Sequence, residues 1–281
     1  MVNWESTDRP LDAFTKILVV LSGLYAWELL LSIDLEWRLI TRRKEFTWPL
    51  VLYFANRYCT LGALIATFIC FNANLTNCQR AFAATLFLAH LSITFASLNL
   101  ATRTIAIWGQ DRFVTGALCL LMIGHFCLIV VQASSAVISK QEGIGCIPST
   151  RNYAWDAAFF LYAFLFDLVV LALNTFKLRG ILSPKAVMNP SSFTMVIFNQ
   201  GIVYFIIACL VNLIAFVFLV LDNIGSIATS TICASVCCTI VACRSVRSLA
   251  ESNGKPEWLL DPQIQPTTGS WRHPYQVESP C

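Results

Sequence analysis

Seven predominantly apolar stretches alternate along the chain with polar connections, and each is close to the ~20 residues an α-helix needs to cross a ~30 Å hydrocarbon layer. They predict spans at about 14–33, 48–71, 81–108, 114–138, 155–176, 196–221 and 226–243. The connections are short except at 34–47, 139–154 and 177–195. The seventh stretch, SIATSTICASVCCTIVAC, is the least apolar in character and leaves six spans if it is discounted. Its Ser, Thr and Cys residues let helices approach closely, which favours keeping it as a span. The pattern predicts an all-α integral membrane bundle of seven transmembrane helices over residues 14–243, since only helices and closed barrels satisfy the backbone in lipid. Residues 1–13 form a preceding segment. The tail, 244–281, holds five of the ten prolines and reads as mostly disordered.

Charge turns this pattern into an orientation. Counted over alternate connections, thirteen Lys and Arg fall on one side and five on the other, with Arg57 inside a span. Basic residues are retained in the cytosol, so the count predicts an outer N-terminus and a cytosolic C-terminus. The beginning, MVNWESTDRPLDAF, carries Glu5, Asp8 and Asp12 rather than a basic leader, so the first apolar run is expected to stay as a span. Composition agrees: 57% of residues are hydrophobic and 12% charged, with mean hydropathy +0.67, where soluble domains are about a quarter charged. The net charge of +3 is spread over the loops and gives no reason to expect a nucleic-acid partner. The expected partner throughout is the lipid bilayer.

Ionisable groups in hydrocarbon are costly and usually paired, so each one inside a span is a candidate. Arg57 lies about nine residues into span two, roughly 14 Å deep. Glu28 is the first candidate for its partner, with Asp34 and Glu36 as others. His90, His125 and Asp167 fall in three consecutive spans at similar depth, roughly 14–20 Å. They are candidates for a ligand anchor or proton relay, or for two imidazoles and a carboxylate on a metal; the alternative is hydrogen bonding between helices. Asn99, Asn174 and Asn212 read as helix-to-helix hydrogen bonds.

Most of the twelve cysteines fall in spans, where a thiol acts as a small apolar group. Cys78 and Cys146 fall instead in predicted outer connections, as a disulfide or as two free thiols. Asn74 begins a glycosylation sequon close to the membrane. Cys243, beside Arg244, is either a palmitoylation site or a buried thiol at a helix end. No P-loop, GxSxG or HExxH pattern occurs, and Cys237 with Cys238 lacks the partners of a zinc site. Span seven has no lysine for a retinal Schiff base, which excludes an opsin. Asp111, Arg112 and Phe113 echo the acid-Arg-aromatic triplet of rhodopsin-like receptors, but lie past a helix end. No cofactor or resident metal is expected.

The stretch YAWELLLSIDLEWRLITRRKEFTWPLVLYFANRY resembles the N-terminal signature of a fungal, mainly basidiomycete, family of uncharacterised seven-helix membrane proteins, a domain of unknown function. Tyr25, Glu28, Glu36, Trp37, Arg42, Arg43, Lys44, Trp48, Asn56, Arg57 and Tyr58 fill its places. RTIAIWGQDRF resembles the segment after the family's third helix, with Trp108 in place of Tyr. FLFDLVVLALNTFKL and FNQGIVYFIIACLVNL are similar to its fifth and sixth helices, with Gln200 in place of Asp. The resemblance spans about residues 20–250 and implies seven helices and no particular activity. Three functions stay open: a receptor-like or signalling protein binding a small apolar ligand in its outer half, with a cytosolic partner at 34–47 and 177–195; a membrane-embedded enzyme similar to fungal terpene cyclases, through Trp27 and Glu28; or a small-solute or proton transporter.

Overall fold

The computed structural model describes residues 5–40, 48–72, 78–134, 138–141, 145–148, 153–181, 192–221 and 227–252; side chains are described for 14–33, 36–37, 50–70, 80–134, 154–177, 202–221 and 228–247. Seven helices follow in order: α1 (Glu5–Ile40), α2 (Trp48–Asn72), α3 (Cys78–Ile107), α4 (Arg112–Ser134), α5 (Tyr153–Ile181), α6 (Ser192–Leu221) and α7 (Ile227–Ser252). All seven are long and apolar enough to cross a membrane, and the chain is a multi-pass membrane protein. Between α4 and α5 a two-stranded antiparallel hairpin, β1 (Ile138–Gln141) and β2 (Gly145–Pro148), pairs Ile138 with Pro148 and Gln141 with Gly145. The hairpin packs on α2 and α3. The fourth span, described as helical to Ser134, does not run to the expected 138, because Ile138 already belongs to a strand. The seventh helix continues to Ser252, so the first nine residues assigned to a disordered tail, 244–252, are helical.

The turn from α3 to α4 shows how tightly the spans are joined. Gly109 (φ 66) and Gln110 (φ 61) are left-handed. Gly109 N–H donates to Ala106 O and Gln110 N–H to Ile105 O, the paired bonds that close a helix when a glycine can take positive φ. Asp111 then starts α4, its Oδ1 accepting from the N–H groups of Phe113 (2.9 Å) and Val114 (3.2 Å). The receptor-like triplet is thus a helix cap.

Order within the bundle follows side-chain size. In α7, 72% of the span is buried, against 22% in α1 and in α4, so the helix richest in small polar residues is the central one. It packs against α1, α2, α3 and α6. Ser92 and Ser235 meet between α3 and α7 at 2.5 Å. Thr239 donates to Asn56 Oδ1 (2.9 Å) and lies 2.6 Å from Thr60, which joins α7 to α2. Around these contacts sit apolar layers: Tyr25, Leu64, Ala89 and Val236 on one side, and Ile93, Ile129, Phe159 and Leu219 on the other.

Close approach also governs the contact of α4 with α5. Tyr162 donates to Leu121 O at 2.7 Å, and a side chain at Gly124 would collide with its hydroxyl. Gly116, on the same helix, faces open space. Gly124→Ala is expected to lower stability by about 1–3 kcal/mol, while Gly116→Ala leaves it unchanged or raises it slightly. Thermal unfolding of the two variants in detergent, compared with the parent chain, checks this; equal midpoints would refute the tight α4–α5 contact.

Candidate functional site

Polar side chains gather at three levels along the bundle. The first is the basic end, where α2, α4 and α6 begin. Arg57 is buried there. One Nη donates to Ser32 Oγ (2.6 Å) and Tyr53 Oη (2.8 Å), the other to Leu29 O (2.9 Å). Glu36 Oε1 lies 2.8 Å from the first of these nitrogens, an ion pair off the axes of the two N–H bonds already in use. Tyr25 Oη donates to Arg57 O (2.6 Å). The expected pairing of Arg57 with Glu28 is not the one formed. Glu28 turns to α7, where Arg244 donates to it through Nε (3.1 Å) and Nη2 (2.9 Å), with Arg247 at 3.6 Å. Glu36 lies eight residues beyond Glu28 on α1, two turns nearer the end of the helix, and the long Arg57 side chain runs to it. That frees Glu28 for the two arginines that the extra helical turns of α7 present on one face. Arg103 of α3 also reaches α7, donating to Ser245 O.

The second level is mid-bundle. Asp167 of α5 accepts from Ser97 of α3 (2.9 Å) and from Asn212 of α6 (2.8 Å), so one carboxyl group joins three helices. Asn174 likewise bonds across helices, to Thr104 (2.9 Å), whereas Asn99 donates to Phe95 O on its own helix. His125 of α4 stacks on Phe159, with ring centroids 5.2 Å apart, and touches Tyr162 and Phe166; neither ring nitrogen has a hydrogen-bond partner among the described residues.

The third level is the hairpin end. His90 Nδ1 is 2.7 Å from Leu86 O and must donate there. In the neutral ring Nε2 is then an acceptor, and it faces the Gln132 amide nitrogen at 3.2 Å. The other hydrogen of that amide goes to Asp156 Oδ1. Gln132 thus bridges an imidazole on α3 and a carboxylate on α5, which lie 3.8 Å apart, and all three groups are buried. Asp156 sits in the first turn of α5, where the helix dipole favours a negative charge. His90 and Gln132 also border a narrow crevice between α3 and α4, whose other walls are Ala83, Leu86, Phe87, Ile129 and Ala133.

His90, His125 and Asp167 therefore do not form one site, despite similar depths. Helix rotation sends each to different neighbours, and Phe159, in contact with both imidazoles, stands between the two histidines. Among the described residues no three His, Cys, Asp or Glu gather as they would around a metal. Sequence reasoning passed over Gln132 and Asp156, although each is a polar residue set in an apolar run, LIVVQA and WDAAFF. It also assigned Arg244 and Arg247 to a tail. Cys243 is buried beside Tyr25 and Arg57, inside the basic-end network, where an acyl chain would have to displace its neighbours. Asn74 and the thiols of Cys78 and Cys146 lie outside the described residues.

No family model matches the chain, and no curated protein does.

Removing Arg57 would strand Glu36. Arg57→Gln is expected to cost about 3 kcal/mol of stability. In double-mutant cycles Arg57 and Glu36 should couple by about 1 kcal/mol or more, and Arg57 with Glu28 by under about 0.5 kcal/mol. Denaturant unfolding in micelles of the single and double Gln variants measures both numbers, and the reverse ranking would restore the Glu28 pairing.

Proposed function

We propose that the protein is a receptor-like signalling protein, with its basic end in the cytosol and its hairpin end outside, that recognises a small, mainly apolar ligand at the His90, Gln132 and Asp156 group. The observation that carries this reading is the combination at that end of the bundle. Three buried polar side chains from three helices converge, and two of them border a crevice with otherwise apolar walls. A few placed polar groups in an apolar recess are the usual make-up of a small-molecule site. The thirteen-to-five distribution of basic residues supports the orientation.

Coupling to the cytosol runs in this reading through helices that carry both levels. α3 holds His90 near its middle and Arg103, bonded to α7, near its basic end. A cytosolic partner would meet the segments 34–47 and 177–195. Membership of the fungal seven-helix family is part of the same proposal. It is supported by the signature residues Tyr25, Glu28, Glu36, Asn56 and Arg57, all of which bond across helices. A proton or solute transporter is the second reading, favoured by ionisable groups at three levels. Apolar layers such as Ile93, Ile129 and Phe159 interrupt them.

Mass spectrometry of the protein purified in lipid nanodiscs is expected to find a bound small molecule. Its occupancy should fall about tenfold in Gln132→Leu, which loses hydrogen bonds to the ligand, and stay unchanged in the lipid-facing variant Val217→Ala. Proton-coupled uptake into protein-containing vesicles, with no molecule retained, would replace the receptor by the transporter. A C-terminal tag should resist protease added outside intact cells, and its cleavage would reverse the orientation.

A further inference from the structure

We infer that Arg103 of α3, with Tyr204 of α6 and Arg244 of α7, forms a surface site for a phosphate monoester at the basic end of the bundle. The site stands apart from the ligand proposed toward the hairpin end and does not depend on it.

Arg103 differs from Arg57 in how it is paired. Arg57 has Ser32, Tyr53, the Leu29 carbonyl and Glu36 around its guanidinium. Arg103 is half-buried, and among the described residues it donates only to Ser245 O and pairs with no carboxylate. A charge in a span usually has a partner, and a guanidinium donates through all of its nitrogens. Most of the donors of Arg103, and its charge, are therefore unanswered within the chain.

The neighbouring groups add to the imbalance instead of correcting it. Ser245, to which Arg103 donates, directly follows Arg244, and Arg244 shares the single carboxylate of Glu28 with Arg247. Among the described residues three guanidinium groups thus stand against one carboxylate, which leaves two positive charges unmatched at this corner. Tyr204 lies near both Arg103 and Arg244, and its hydroxyl makes no hydrogen bond among the described residues. Tyr204 and Arg103 are half-buried and the Arg244 side chain is 47% exposed, so all three reach the surface and a ligand needs no cavity.

Depth and charge together select the ligand. Arg103 lies four residues before Ile107, the end of α3, which at ~1.5 Å per residue is about 6 Å from the end of the span. That is the level of lipid headgroups, where basic positions between spanning helices hold phosphorylated heads. A phosphate monoester carries about −1.5 to −2 near pH 7, and its oxygens match the guanidinium fork. A carboxylate or a phosphodiester brings a single charge and leaves one cation unmatched. The head of phosphatidic acid supplies the monoester at that depth, and free phosphate from solvent shares its chemistry.

The test uses the full chain in phosphatidylcholine vesicles that carry equal minor amounts of phosphatidic acid and phosphatidylglycerol, with native mass spectrometry to count the lipids retained. Phosphatidic acid should be retained about tenfold over phosphatidylglycerol, and that preference should vanish in Arg103→Gln. Tyr204→Phe, which removes a hydroxyl and no bond between helices, should lower it about threefold. Arg112→Gln, which removes a charge at an exposed position of the same end, should leave it unchanged. Equal retention of the two lipids by the parent chain would mean a basic surface only and would overturn the site. A preference that survives in Arg103→Gln, or in Tyr204→Phe where Arg103→Gln does not fold, would put the phosphate elsewhere and overturn it as well. Added inorganic phosphate separates the sources: displacement of phosphatidic acid supports free phosphate as the occupant, and undiminished retention supports the lipid.

Discussion

A guanidinium inside a membrane helix has no water to solvate it, and the arrangement of the basic end follows from meeting that one demand. Arg57 needs acceptors for several N–H groups and a negative charge nearby, in a medium where an unmet polar group costs several kcal/mol. Ser32, Tyr53, the Leu29 carbonyl and Glu36 meet it together, and each fixes the rotation of α1 or α2 about its own axis. With Glu36 committed, Glu28 needs a different cation. Arg244 and Arg247 supply it only if α7 stays helical past the apolar part of the span. The length of the last helix is thus tied to a charge on the second.

The same constraint orders the rest of the bundle. Polar groups that cannot face lipid turn inward, and the helix carrying most of them becomes the hub. Ser235, Thr239 and the two arginines place α7 against α3, α2 and α1, while Asn212 and Ser97 meet at Asp167 to bind α6, α3 and α5. Helices with long aliphatic side chains, α1 and α4, take the rim. The His90, Gln132 and Asp156 group obeys the same rule and joins α3, α4 and α5 toward the hairpin end.

The number of spans, their order and most of their ends were legible in the sequence, because length and apolarity in a membrane are set by the thickness of the hydrocarbon. The depth of an ionisable residue was legible for the same reason. Its partner was not, because that depends on helix rotation and on which neighbours pack together. Arg57 was recognised as paired and Glu36 was among its candidate partners, but Glu28 was placed first, near the inner end of the adjacent apolar run, and Glu36 is the acid that Arg57 reaches. His90, His125 and Asp167 share a depth and yet face different helices. Asp156 was passed over because it lies near a predicted end, where acids are ordinary; in the fold it is buried, bonded to Gln132 and close to His90.

The bond between Glu28 and Arg244 spans 216 residues of chain. Arg57 finds Glu36 as soon as the first two helices pair, but Glu28 waits for the last. At about 5–20 residues per second, a ribosome needs roughly 10–40 s to travel that distance. Throughout that interval the nascent chain carries a carboxylate at the membrane without its cation. Completion of α7 is then more than the addition of one helix: it brings the cation to a carboxylate that the first helix has carried since it was made.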